Sequence, residues 1–386
     1  MDTKRFLAGG AVLFFCAAFV YSGLLAEPVG GSKAQTLDVT IREWSVPTPN
    51  STPHDPAVAP DGALWWTGQL SNRLGRLDPA TGMMREYPLK SPNTGPHGLA
   101  FDRDGNVWYT GNYSGLIGKL DPRTGNVTEY KMPDSRASDP HTPVFDQQGL
   151  LWFTVQGGNF VGRLDPRTGK IDLKRVPTED ALPYGMVITS KGVPIFCEFG
   201  TNKLAKIDPK TMEITEYKLP EKGTRPRRIA IAKDDTIYFT DFEQGRLGRF
   251  NPATGEVQMW PSPGGPQSSP YGITVTPDGM VWYSEAGVLP KNTIVRFDPQ
   301  TETFASTTIP SGGGVVRNMA ATPDGRIYIA CSGVNKVGVV LANQARVRET
   351  TSHSSAKHEP VNLSSEAAKN PSFRVPSPRD SSLRSE

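Results

Sequence analysis

Along most of the chain, runs of five or six residues alternating apolar with polar or small side chains are separated by turn residues, and no repeated segment has a helical period. Residues 96–132 show the unit in full. Residues 97–101 alternate small and apolar side chains up to Asp104-Gly105, a hairpin turn in which glycine accepts the positive φ required. Residues 106–110 carry Trp108 and Tyr109, bulky side chains suited to a pleated, well-packed surface. Gly115 marks a break before 116–120. Asp121-Pro122 and Thr124-Gly125 then turn the chain into a more polar strand over 127–132. The pattern predicts a four-stranded antiparallel meander.

The meander recurs. Its aspartate-proline turn reappears at Asp78-Pro79, Asp165-Pro166, Asp208-Pro209 and Asp298-Pro299, with Asn251-Pro252 as a variant. The spacing of about 43 residues is the length of one propeller blade. An aromatic column runs Trp65, Trp108, Trp152, Ile195, Tyr238, Trp282, Tyr328, and its neighbour runs Trp66, Tyr109, Phe153, Phe196, Phe239, Tyr283, Ile329. Adjacent strand residues face opposite sides of a sheet. Both faces of every sheet are therefore bulky and apolar, as radial stacking between two neighbours requires. The fold class expected is all-β: a seven-bladed propeller over 41–341. The seventh unit lacks an outer strand, and residues 41–47 have the outer-strand pattern, so this segment is expected to close the last blade.

The ends differ in composition. Lys4 and Arg5 precede an uncharged apolar run of about 20 residues, so 1–26 reads as a secretory signal peptide, with an uncleaved anchor as the alternative. The protein is then expected to be periplasmic or secreted, touching a membrane only through that segment. Residues 27–40 read as a linker. Residues 342–386, rich in Ser, Pro and charged side chains, read as a disordered tail. The formal net charge of +3 over 386 residues, with acids and bases interspersed, excludes a basic stripe for nucleic acid. The partner expected is a small-molecule substrate or ligand, bound by a monomer.

Chemistry is expected at one mouth of the central channel, where the first strand of each blade starts and the second ends. The residue after the repeated proline is His54, His97, His141, Tyr184, Arg227, Tyr271 and Arg317 in turn. The residue ending the aromatic strand is Gly68, Gly111, Val155, Glu198, Asp241, Glu285 and Cys331. Histidine serves as a base near neutral pH. The carboxylates Glu198, Asp241 and Glu285 suit a hard cation such as Mg²⁺. Zinc on His54, His97 and His141 would require three neighbouring blades to converge on one ion. Acids beside arginines can equally form ion pairs that satisfy a polar channel.

The unit Pro-His-Gly-(apolar)-Ala … Asp-Gly-Asn-Val-Trp-Tyr-Thr … Ile-Gly-Lys-Leu resembles the streptogramin B lyase (virginiamycin B lyase) family across the whole of 41–341. The resemblance implies a seven-bladed propeller that opens a cyclic depsipeptide by Mg²⁺-dependent elimination, a histidine taking the proton α to a carbonyl. The family's functional histidine of the fifth blade falls on Arg227. Its glutamate-proline-histidine of the sixth blade falls on Ser269-Pro270-Tyr271, and its metal-binding glutamate falls on Ala286, next to Glu285. The activity expected is that of a carbon–oxygen lyase acting on a small or cyclic ester. His97, His141 or His54 would serve as base, with Tyr271 beside them, and Arg227 or Arg317 would stabilise an oxyanion. Tyr184, Trp108 and Asn112 would contact the substrate. A metal-dependent lactonase or esterase and a non-catalytic binding propeller are the alternatives.

Overall fold

The structure is a computed structural model that describes residues 34–288 and 290–343. Residues 1–26, read above as a signal peptide, and all but the first two residues of the 342–386 segment lie outside the described residues. Seven antiparallel sheets follow one another as blades. Blade one, for example, is Pro53–Val58, Leu64–Gly68, Arg73–Leu77 and Met84–Pro88, numbered outward from the channel. Each innermost strand begins at the repeated position: Pro53–Val58, Pro96–Phe101, Pro140–Phe145, Pro183–Ile188, Pro226–Ile231, Pro270–Val275 and Val316–Ala321.

Val39–Ser45 pairs antiparallel with Lys336–Ala342 and becomes the outer strand of blade seven, closing the ring as the sequence pattern implies. The segment read as a linker is ordered at its end. Gln35–Thr36 adds a short parallel strand to the outer edge of blade six, which partly covers that edge.

The aromatic columns form the interfaces between blades, and every member of both is buried. They fit because the facing third-strand residue is often glycine. A Cβ on Gly75, Gly118, Gly162 or Gly248 would come within 2.0, 1.9, 2.2 or 2.1 Å of the rings of Trp66, Tyr109, Phe153 and Phe239. Trp108, expected to touch substrate, belongs instead to this packing. It is fully buried and donates its indole N–H to Asp102 Oδ2 at 2.8 Å.

A second repeated contact joins successive blades. The connector entering a blade places a Ser or Thr against a glutamate of that blade's outer strand. Ser91 donates its N–H and Oγ to Glu129 at 3.0 and 2.7 Å. Thr178 does the same to Glu216 at 3.0 and 2.9 Å, and Thr48 bonds Glu86. In blade seven the glutamate is Glu43 of the amino-terminal strand, bonded by the N–H of Ser311 at 2.9 Å and by its hydroxyl. Hydrogen bonds to a charged acceptor contribute about 1.5–3 kcal/mol. Glu43→Ala is therefore expected to lower stability by about as much as Glu129→Ala, on that scale, in thermal or urea melts of the two variants.

Candidate functional site

The position of the first-column side chains follows from a β-bulge at the start of every inner strand. In blade one, Pro53 pairs with Gly68 and Pro56 with Trp66, so His54 and Asp55 both lie opposite Thr67. The same shift occurs in all seven blades. A bulge leaves one residue unpaired and re-aims its side chain. A hydroxyl on the second strand holds the geometry. Thr67 Oγ1 accepts from the Asp55 N–H at 3.0 Å and donates to the carbonyl of His97 in the next blade at 2.8 Å. Thr110, Thr154, Thr240 and Ser284 repeat the bridge.

The first column converges as expected. The ring centroids of His54 and His97 are 3.8 Å apart, those of His97 and His141 3.8 Å, and those of His141 and Tyr184 3.9 Å. The hydroxyls of Tyr184 and Tyr271 meet at 2.5 Å, and Arg317 Nη1 reaches the Tyr271 hydroxyl at 3.5 Å. Arg227 sits in an aromatic cage. Its guanidinium carbon is 3.8 Å from the ring centre of Tyr271, 4.2 Å from that of Phe242 and 4.6 Å from that of Phe199. Asn112 is half-buried nearby, its amide directed at the carbonyls of Asp139 and Pro140.

The adjacent column, Asp55, Gly98, Thr142, Gly185, Arg228, Gly272 and Asn318, supplies residues that sequence reasoning missed. Glycine alternates with polar side chains, and four of those side chains meet across the channel. Arg228 Nη2 donates to Asp55 Oδ1 at 2.8 Å, and its Nη1 donates to Thr142 Oγ1 at 3.2 Å. Asn318 Nδ2 donates to Asp55 Oδ2 at 3.1 Å, and His54 Nδ1 lies 2.9 Å from Asp55 Oδ1. Arg228 and Asp55 are each 2% exposed, so blades one and five are joined by a buried ion pair. A Cβ on Gly185 would lie 3.0 Å from the Arg228 backbone, and one on Gly272 would lie 3.0 Å from that of Asn318. The alternation with glycine gives the large side chains their room.

The electrostatics are set by burial and by the arginines. Burial, then the charges of Arg317, Arg228 and Arg227, holds the His54 imidazole well below its ordinary pKa. His97 and His141 are lowered for the same reason, burial first. The three histidines expected as bases are therefore neutral and enclosed. Their stacking also differs from a convergence of three nitrogens on one zinc ion. Burial raises the Tyr184 phenol, with the Tyr271 charge adding to the shift.

The three carboxylates expected to share a cation are not brought together; each is bound to the turns of its own blade. Both oxygens of Glu285 are taken: Oε1 accepts from Ser262 Oγ at 2.5 Å and the Gly264 N–H at 2.7 Å, and Oε2 accepts from Thr293 Oγ1 at 2.5 Å. Asp241 Oδ1 accepts the N–H groups of Arg225 and Gln244 at 3.0 and 3.3 Å. Glu198 Oε2 accepts from Thr201 Oγ1 at 2.9 Å, and burial pushes its pKa up to about 7. Among the described residues, the one set of three donors close enough for a metal is His54, Asp55 and His97. There Asp55 is already bound to a guanidinium.

Residues 29–261 and 197–369 match the model of the virginiamycin B lyase family. The chain belongs to that family. A streptogramin B lyase structure is 25% identical, with a TM-score of 0.73, over 79% of this chain and 98% of that one. The virginiamycin B lyase from Staphylococcus aureus is 25% identical, with a TM-score of 0.72, over 79% and 99%. A putative 6-phosphogluconolactonase from Bacteroides fragilis shares the fold at 17% identity and a TM-score of 0.57, over 80% and 92%. No curated protein matches.

The Mg²⁺ implied by the family does not fit these residues. At the places where the resemblance puts its histidines and glutamate stand a guanidinium (Arg227), a phenol (Tyr271) and a methyl group (Ala286), and the neighbouring Glu285 has both oxygens occupied.

The buried neutral histidines give a signed pH dependence. Below the ordinary histidine pKa of 6.5 the unfolded chain binds protons that the folded chain refuses. Their contribution is complete above that value and is lost as pH falls through it. Glu198, with its raised pKa, acts in the opposite direction between 4.5 and about 7. The drop in Tm between pH 7.5 and 5.0 is therefore expected to be smaller in His97→Gln than in the wild type. Paired thermal melts at the two pH values isolate that difference from the carboxylates.

Proposed function

We propose that the mouth binds a small or cyclic ester through carbonyl or carboxylate oxygens resting on Arg227 and Arg317, and that the reaction is a carbon–oxygen elimination requiring no divalent cation. One observation carries the reading. Among the described residues neither guanidinium has a carboxylate partner, and the Nε of each is buried without a hydrogen-bond acceptor. A half-buried cation without a counter-charge is costly, and a substrate oxyanion offsets that cost by charge-assisted hydrogen bonds. Both arginines lie in the column that carries the family resemblance.

In this reading a proton leaves the carbon α to the carbonyl, and the C–O bond β to it breaks. The electron pair of that bond passes to the departing carboxylate oxygen. Charge develops on the carbonyl oxygen, where the arginines oppose it. The proton passes to the neutral imidazole of His141, whose ring packs 3.9 Å from that of Tyr184, reached when Arg227 moves off the Tyr271 ring to meet substrate. Export belongs to the same reading, since residues 1–26 have the charge and hydropathy order of a secretory signal.

A second reading, binding without turnover, is favoured by the enclosure of every candidate base: His54, His97 and His141 are 2, 4 and 1% exposed, and Tyr271 beside them is 1% exposed. Mass spectrometry of a streptogramin B and a panel of small lactones, incubated with the protein with Mg²⁺ and with chelator, separates the two. Elimination predicts a ring-opened product of unchanged mass that persists in chelator and falls at least about 100-fold in Arg227→Ala, the scale of losing one oxyanion donor. A product heavier by one water means hydrolysis. Saturable binding with no product supports the binding propeller.

A further inference from the structure

The first aromatic column is broken at blade four, where Ile195 stands between Trp152 and Tyr238. The other blades show what surrounds a tryptophan at this position. Its indole N–H is accepted by the residue that follows the inner strand: Asp102 Oδ2 for Trp108 at 2.8 Å, Asp146 Oδ2 for Trp152 at 2.8 Å and Thr276 Oγ1 for Trp282 at 3.1 Å. A cation of the third strand lies over the ring. Lys119 Nζ is 5.6 Å from the centre of Trp108, and the guanidinium carbon of Arg163 is 5.4 Å from that of Trp152. An outer-strand tyrosine stacks on it, Tyr87 on Trp65 at 5.0 Å and Tyr130 on Trp108 at 5.6 Å.

Blade four keeps these partners and lacks the ring. Thr189 holds the acceptor position. Its Oγ1 takes the Val193 N–H at 3.0 Å, and a hydroxyl oxygen has a second lone pair to offer. Lys206 stands opposite Ile195 in the sheet, as Lys119 stands opposite Trp108, and lies over Tyr217 at 5.6 Å instead of an indole. Tyr217 has the place of Tyr87 and Tyr130 in its strand and packs on Phe250 of blade five, with ring centres 5.2 Å apart. Beside Ile195, between blades four and five, a cavity of about 470 Å³ opens on the face opposite the mouth. Thr189, Val193, Ile195 and Lys206 line one side, and Asn251 and Pro252 of blade five line the other. The volume lies within the roughly 300–1,000 Å³ usual for small-molecule sites. A flat ring entering there meets a hydroxyl acceptor, a cation and an apolar wall in the arrangement that the chain uses for its own tryptophans. A phenyl ring brings no donor to Thr189, and a saturated ring gives Lys206 no π face.

We infer that this cavity is a binding site for a small molecule carrying an indole-type ring, with the ring N–H donated to Thr189 Oγ1 and the ring face under Lys206, independent of any reaction at the mouth. Titration calorimetry of the full-length chain at pH 7.5 tests it with indole and with 1-methylindole, which has the same ring system and no N–H. The expected result is saturable binding of indole about fivefold tighter than of 1-methylindole, the scale of one neutral hydrogen bond. Ile195→Trp, which supplies the indole from within, should keep or raise the Tm and abolish indole binding. Thr189→Val should bring indole to the affinity of 1-methylindole and leave the latter within twofold, and it carries the test if the tryptophan variant fails to fold. The inference is overturned if indole does not bind saturably, if 1-methylindole binds as tightly, if a folded Ile195→Trp still binds indole, or if Thr189→Val leaves the preference for indole intact.

Discussion

The buried ion pair between Asp55 and Arg228 organises the centre of this propeller. A ring of sheets has no core at its axis, and the first strands present their side chains to an open channel. Here that channel is bridged from blade one to blade five at 2.8 Å, with Thr142 and Asn318 completing the hydrogen bonds. Taking two charges out of water costs several kcal/mol per ion unless the geometry is good and the remaining groups are satisfied. Asp55 meets that condition with three partners: His54, Arg228 and Asn318. The glycines between the polar positions make the span possible, because a side chain at Gly185 or Gly272 would press on the neighbouring inner strand.

From that layer follow the electrostatics on either side. Asp55 balances one guanidinium and leaves Arg227 and Arg317 without a counter-charge of their own. Their field, added to burial, keeps the stacked imidazoles neutral. A site with this balance attracts anions and resists cations, which is the reverse of what a magnesium site needs. The family fold is retained, and shared architecture alone does not carry the reaction across.

The blades were legible in the sequence because their signal is redundant. Seven copies of two aromatic columns and six of a turn leave one fold that satisfies them all, and even the amino-terminal strand could be placed by its outer-strand pattern. The first polar column was legible for the same reason. Three features were not. Asp55 and Arg228 follow residues already assigned to the channel, and strict alternation would turn them away; the bulge at each inner strand aims both residues of the pair inward. The alternation of glycine with polar residues in that column was the available signal. Glu198, Asp241 and Glu285 stand at equivalent repeat positions, but each is bound by hydroxyl or amide donors of its own turn, and repeat position alone does not show where a side chain points. Trp108 is bulky and close in sequence to the mouth, yet its indole serves blade packing.

The most direct measurement of the central claim is a double-mutant cycle on Asp55→Asn and Arg228→Met, read by equilibrium urea unfolding at pH 7.5. If the pair bridges the channel as described, each single variant loses about 3–5 kcal/mol by stranding a buried charge. The double variant then loses clearly less than the sum, with a coupling above about 1 kcal/mol. Additive losses, or singles within about 0.5 kcal/mol of wild type, would contradict it and remove the ion pair as the element that organises the channel.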